Sequence, residues 1–260
     1  NQGVYLAAAG QPDSAIMLIE KGEQVAIKKN YEPYLIRSGA NLGRIYISIG
    51  NAEKALTYLY KTLDLLDTNP HKEIELRVRN SITWAYLELK RYQDCVSFGR
   101  KGLAMVPPEF EYIIPYFCNN MAASYGALDN MDSAKYFVMK GLLIAQTKSD
   151  NHIVANGLYI LGNIYAYTGQ FDKAIEQFQK AKPYREKVGD PLFIVSDLFT
   201  LSQLFYKKGD YANGIKNGLA ALAIAEEHNM IMKFEGVYEA LAENLPAGHP
   251  RRQEATERLQ

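Results

Sequence analysis

Residues 40–62 and 159–181 carry one pattern: Leu-Gly, then Tyr three positions after the Gly, Gly four further on and Ala five after that. Extending the register finds seven anchors, Leu6, Tyr46, Tyr86, Tyr125, Tyr165, Phe205 and Leu245, spaced by 40, 40, 39, 40, 40 and 40 residues. A chain that repeats one unit at this period builds its core by stacking each unit on the next. The 260 residues therefore read as about six and a half units of one array, not one or two globular cores.

Other positions obey the same frame. Three residues before the anchors stand Gly3, Gly43, Thr83, Ala122, Gly162, Ser202 and Ala242, all small. Nine residues after the first six anchors stand Ala15, Ala55, Cys95, Ala134, Ala174 and Gly214, and seven beyond those Gly22, Thr62, Gly102, Gly141, Ala181 and Ala221. Small side chains let helix backbones approach closely, and a large ring can then fill the adjacent gap. The anchor is expected to be that plug.

Four residues after the anchors lie Gly10, Gly50, Lys90, Asp129, Gly169 and Gly209. Glycine there can end a helix in the left-handed conformation and begin a tight turn. Each unit thus reads as two antiparallel helices, the first of each pair near 32–49, 72–90, 112–128, 151–168, 191–208 and 230–245. Pro12, Pro33, Pro191 and Pro250 fall at expected helix starts, and Pro70, Pro107 and Pro108 between helices. A local irregularity is expected at Pro115 and Pro183. No segment has strand period.

This pattern resembles the tetratricopeptide-repeat (TPR) family over essentially the whole chain. The fifth unit carries nearly its full signature in Leu161, Gly162, Tyr165, Gly169, Phe171, Ala174, Phe178, Ala181 and, slightly early, Pro183. The usual repeat has 34 residues, and six more lengthen the helices by roughly a turn and a half. The longer period is similar to Leu-Gly-Asn repeat adaptors, kinesin light chains and bacterial TPR regulators, and Asp-Ser-Ala at 13–15 and 132–134 is similar to bacterial repeat proteins. The resemblance implies an all-α fold, a right-handed α-α superhelix or TPR solenoid. It implies one solenoid over 1–260, with repeats near 1–30, 31–70, 71–109, 110–149, 150–189, 190–229 and a partial 230–260. It also implies a concave groove, faced by the first helix of each pair, that binds peptides or protein segments.

Composition removes other classes. With 29 basic and 29 acidic residues the net charge is zero, so direct nucleic-acid binding, which needs excess Lys and Arg, is not expected. No apolar run approaches the ~18 residues of a membrane span, so no membrane contact is expected from this segment. Cys95 and Cys118 are too few for a disulfide framework or a cysteine zinc site and read as core residues. His71, His152, His228 and His249 form no i, i+4 pair, and no nucleophile elbow, phosphate loop or dinucleotide fingerprint occurs. No metal, no cofactor and no enzymatic activity are expected. Unpaired cysteines slightly favour a reducing cytoplasm, with a periplasmic location open if a leader was trimmed.

Groove positions, counted from the anchors along one helical stripe, give Arg37 and Arg44, then Arg77, Asn80 and Trp84, then Tyr116 and Asn119. Further along come Asn156, Tyr159, Asn163 and Tyr167, then Phe199 and Gln203, and finally Glu239 and Glu243. Asn is not favoured mid-helix, yet its carboxamide donates and accepts together. Two uses are open: clamping the backbone of an extended peptide, or bonding neighbouring helices. Arg37, Arg44 and Arg77 near one end, with Trp84, Tyr116, Tyr159, Tyr167 and Phe199 after them, have the composition of binding hot spots. An acidic segment is expected over the arginines and apolar side chains over the rings. The family's carboxylate-clamp set is not present, so chaperone-tail binding is not expected.

The expected function is a non-catalytic protein- or peptide-binding module, the sensory or scaffolding part of a bacterial regulatory protein in signal transduction. The alternative is a receptor domain for a small molecule or secreted signalling peptide that switches an attached output domain. A homo-oligomer is compatible with either. Asn1 is not an initiator methionine, and neither end has a dedicated polar cap. The chain is therefore expected to be a piece of a longer protein, a natural chain with modest caps being the other reading.

Overall fold

The computed structural model describes residues 11–228, 230, 236, 238–239, 241–242 and 245–258. Gly3, Leu6 and Gly10 of the repeat frame, and Glu243 of the groove row, lie outside them. The chain divides into two compact units, Asn1–Ile144 and Ala145–Gln260. The described residues of the first unit form α1 (Pro12–Lys28), α2 (Glu32–Ser48), α3 (Ala52–Thr68), α4 (Lys72–Glu88), α5 (Tyr92–Ala104), α6 (Ile114–Ala127) and α7 (Met131–Thr147, ending just past the boundary). The second unit holds α8 (Asn151–Tyr167), α9 (Phe171–Val188), α10 (Pro191–Lys207), α11 (Tyr211–Glu227) and α12 (Pro250–Arg258). Each unit is a stack of antiparallel helix pairs of the α-α superhelix class.

Local chemistry sets the helix starts. Pro occupies the first turn of α1, α2, α6 and α10, where its missing N–H costs nothing. Asn51, Asp150, Asp190 and Asp210 accept backbone N–H bonds at 2.9–3.2 Å and cap α3, α8, α10 and α11. The expected first helix at 112–128 starts later than its register, because a 3-10 turn over Pro108–Ile113 precedes α6 and Pro115 sits in its first turn. The helix α9 runs on through Pro183.

The turn expectation extends beyond glycine. Gly50, Gly169 and Gly209 have φ of 81°, 72° and 77°, and in the same register Lys90 and Asp129 are forced to 57° and 60°. The reason is a backbone bond that recurs in each of these five turns. The N–H five residues after each anchor donates to the anchor's own carbonyl: Asn51 to Tyr46, Arg91 to Tyr86, Asn130 to Tyr125, Gln170 to Tyr165 and Asp210 to Phe205, all at 2.8–2.9 Å. This six-to-one closure needs a left-handed residue between, whatever its side chain.

The sockets are real, but the anchors do not fill them. A Cβ on Gly43 would stand 2.4 Å from Leu59, on Gly102 2.5 Å from Phe117 and on Gly162 2.7 Å from Phe178. The plugs are therefore buried side chains of a neighbouring helix, the partner in the same pair for Gly43 and Gly162 and the first helix of the next repeat for Gly102. The anchor rings instead reach back to the second helix of the preceding repeat. The Tyr46 hydroxyl donates to Glu20 at 3.2 Å, Tyr86 shares a 2.6 Å bond with Tyr60, and Arg100 Nε donates to the Tyr125 hydroxyl at 2.9 Å. Glu20, Tyr60 and Arg100 are themselves 40 residues apart, so one register position ties three successive junctions with different chemistry.

Candidate functional site

In the first unit α4 packs against both α2 and α6, which brings three first helices side by side. Arg37 and Arg44 on α2 are exposed. Among the described residues they meet no carboxylate. Arg77 on α4 is engaged: its Nη2 lies 2.9 Å from Glu73 Oε1, and its guanidinium stands 5.6 Å from the Tyr112 ring. The Tyr112 hydroxyl donates to the same Glu73 oxygen at 2.7 Å. That bond and the Arg77 partner hold the Glu73 carboxyl below the usual range.

Some of the candidate amides bond neighbouring helices. Asn80 Oδ1 accepts from Asn120 Nδ2 at 3.2 Å, joining α4 to α6. Asn119 is buried and Tyr116 half-buried, each with interactions of its own. Trp84, half-buried, donates its indole N–H to Glu88 at 2.8 Å.

In the second unit Asn156 belongs to a buried network that the sequence did not reveal. Its Oδ1 accepts from Arg185 Nη1 at 2.7 Å, and its Nδ2 stands 3.1 Å from His152 Nε2. Arg185 on α9 also donates Nε to Asp197 Oδ2 on α10 at 2.9 Å. The Phe193 ring covers the guanidinium at 4.8 Å and meets the His152 ring edge-on at 5.3 Å. Burial, then the Arg185 charge, pushes His152 below its ordinary value. Burial pushes the Asp197 carboxyl up against the pull of Arg185, and Asp197 Oδ1 has no hydrogen-bond partner among the described residues.

A signal for this network was present. The register of Asp197 holds Ser38, Val78, Phe117 and Gly157 in other repeats, and that of Arg185 holds Ala26, Leu66, Ala145 and Ala225. Opposite charges at two core registers of one junction mark a buried pair.

The remaining second-unit residues lie on α8 and α10. Tyr159 packs edge-on against Phe178 at 5.5 Å, and Tyr167 is exposed but has interactions. Phe199 is half-buried and stands 3.1 Å from where a Gly236 Cβ would be. Asn163 and Gln203 each stand two residues before an anchor, one repeat apart, and both are half-buried. Among the described residues neither carboxamide makes a hydrogen bond. Glu239 is exposed.

Among the described residues no group of three or more His, Cys, Asp or Glu is placed to hold a metal ion, and no helix is long and apolar enough to cross a membrane. Burial pushes the Cys95 thiol up to about 11 and Cys118 up to about 12, which leaves both protonated and unreactive at neutral pH.

Residues 37–65 and 155–182 match models of the tetratricopeptide repeat. The 43 kDa receptor-associated protein of the synapse from Tetronarce californica is 24% identical over 216 residues, covering 76% of this chain and 52% of that protein. The chain thus spans about half the length of that relative. A Rap protein solved in complex with competence and sporulation factor superposes with a TM-score of 0.73 at 14% identity, over 100% of this chain and 84% of that one. BtubC (BKLC) from P. vanneervenii superposes with a TM-score of 0.66 at 16% identity, over 85% and 92%. At these identities the two superpositions show the fold alone.

Proposed function

We propose, from the premise that this chain belongs to the tetratricopeptide-repeat family, that its first-helix faces bind an extended peptide or protein segment without catalysis. Repeats of this family make protein-interaction modules, and the finer reading is a sensory or scaffolding part of a bacterial regulatory protein. The observation that carries the proposal is the pair Asn163 and Gln203. These two successive repeats each offer one carboxamide at the same register, with no hydrogen-bond partner among the described residues. An extended chain laid across successive first helices presents an N–H and a C=O to each, at about 0.5–1.5 kcal/mol net per bond. Tyr159 and Phe199 supply adjacent apolar surface. On the first-helix face of the first unit, the exposed Arg37 and Arg44, which meet no carboxylate among the described residues, offer positive charge to an acidic segment.

A second reading, a receptor domain whose secreted peptide or small molecule switches an attached output domain, is favoured by one observation. The Rap protein of similar fold was solved with competence and sporulation factor bound.

The test is a peptide array probed with wild type and with Asn163→Ala/Gln203→Ala. Loss of about tenfold in affinity, from two bonds, is expected for groove ligands. Unchanged affinity for every bound peptide removes the clamp. Binding that does not weaken with salt, or that survives Arg37→Glu/Arg44→Glu, removes the role of the arginines.

A further inference from the structure

The second helix α7 exposes a row that its sister helices do not. Tyr136, Met139 and Leu143, at i, i+3 and i+7, are 60%, 53% and 70% exposed and form one ridge. The same register carries Thr57, Tyr60 and Asp64 in α3, and Glu176, Gln179 and Pro183 in α9. Stacking does not call for apolar side chains there. The register of Met139 is the one where Glu20, Tyr60 and Arg100 hydrogen-bond the next anchor, and a thioether cannot replace those groups well. Three large apolar side chains, each more than half exposed on one helix face, mark an interaction surface.

Beside the ridge runs an open trough of about 700 Å³ between α5 and α7, lined by Leu103, Ala104, Tyr136 and Phe137 with Arg100, Lys140 and Asp132. The Arg100 guanidinium lies 5.8 Å from both the Tyr125 and Phe137 rings and bonds the Tyr125 hydroxyl. Among the described residues no carboxylate meets it, so its charge is unneutralised at the trough wall. A trough whose lining carries Arg100 and Lys140 against the single carboxylate of Asp132, beside an apolar ridge at i, i+3 and i+7, has the features of a helix-in-groove site.

We propose that this face of α5 and α7 docks an amphipathic helix of a partner protein whose apolar stripe is flanked by carboxylates. Leu- or Met-type residues at i, i+3 and i+7 of that helix pack on Tyr136, Met139 and Leu143. Flanking Glu or Asp side chains reach Arg100 and Lys140. The face is concave and carries Asp132, which favours a rod over an anionic lipid surface. The site is distinct from the first-helix faces and does not depend on them.

The probe is a fluorescein-labelled, roughly 18-residue peptide, long enough to form a helix when docked, with Leu on one face and Glu on its flanks. Controls are a scrambled peptide and one with Lys replacing Glu. The chain should bind the designed peptide at least tenfold more tightly than either control, and less tightly as salt rises. Met139→Ser/Leu143→Ser, on exposed positions, should lose that binding with an unchanged far-UV circular dichroism spectrum. Lys140→Glu should narrow the preference for the Glu peptide over the Lys peptide, whereas Asn163→Ala/Gln203→Ala should change nothing. Four results overturn the proposal. They are equal binding of the scrambled peptide, full binding by Met139→Ser/Leu143→Ser, a wild-type dimer that this variant converts to monomer, and binding of phosphatidylserine vesicles without binding of the peptide.

Discussion

Arg185 Nε lies 2.9 Å from Asp197 Oδ2, and both side chains, 3% and 8% exposed, are sealed among α8, α9 and α10. Such a pair offers little net stability over a well-packed apolar one, because both charges lose their water. Removing one partner is different. Asp197→Ala leaves the guanidinium buried with Asn156 as its remaining side-chain acceptor, and should cost about 3–5 kcal/mol. Arg185→Met/Asp197→Leu should recover most of that. Urea unfolding followed by far-UV circular dichroism measures both, since the only tryptophan, Trp84, lies in the other unit. A loss under about 1 kcal/mol for Asp197→Ala would show the pair to be incidental.

The same network should give stability a pH dependence. The folded value of His152 lies below its ordinary 6.5, so below that pH the unfolded chain binds more protons than the native one. The stability contributed by a neutral His152 is complete above pH 6.5 and is lost as pH falls through the window beneath it. Asp197, held above its ordinary value by burial, contributes in the opposite sense, so the comparison must be made with a variant. His152→Gln should flatten the slope of unfolding free energy between about pH 7.5 and 5.5. Parallel slopes would exclude His152 as its source.

Lys90 and Asp129 occupy left-handed turns that three other repeats give to glycine. A side chain in that conformation costs roughly 1 kcal/mol. Lys90→Gly and Asp129→Gly should each raise stability by about 0.5–1 kcal/mol, read by Trp84 fluorescence in urea. Gly169→Ala should lower it by a similar amount through backbone strain alone, since no atom lies within 4 Å of the added Cβ.

Gly162 faces the buried Phe178 ring, with 2.7 Å left for a Cβ. Gly162→Ala should cost about 1–3 kcal/mol by overpacking, and Phe178→Leu in the same chain should relieve part of it. Additive losses in a double-mutant cycle would mean that the two sites are not coupled.

Much of this protein is written in a period. The anchors, the small sockets, the turn positions and five first-helix ranges follow from sequence because each depends on residue type at a fixed spacing along one helix or turn. The left-handed turns at Lys90 and Asp129 were legible by register although not by residue. What the period could not decide is which atoms meet across helices. The plugs are Leu59, Phe117 and Phe178 and not the anchors, whose rings reach back to Glu20, Tyr60 and Arg100. Among the candidate amides, Asn80 and Asn156 turn to partners on neighbouring helices, while Asn163 and Gln203 make no hydrogen bond among the described residues. The register marks Arg185 and Asp197 as charges at core positions, but their contact with Asn156, His152 and Phe193 and the bare ridge on α7 emerge only in three dimensions. A repeat frame reports distances along the chain, whereas a hydrogen bond, a clash or an exposed face depends on the direction a side chain takes from its helix. That direction is set by the neighbours packed around it.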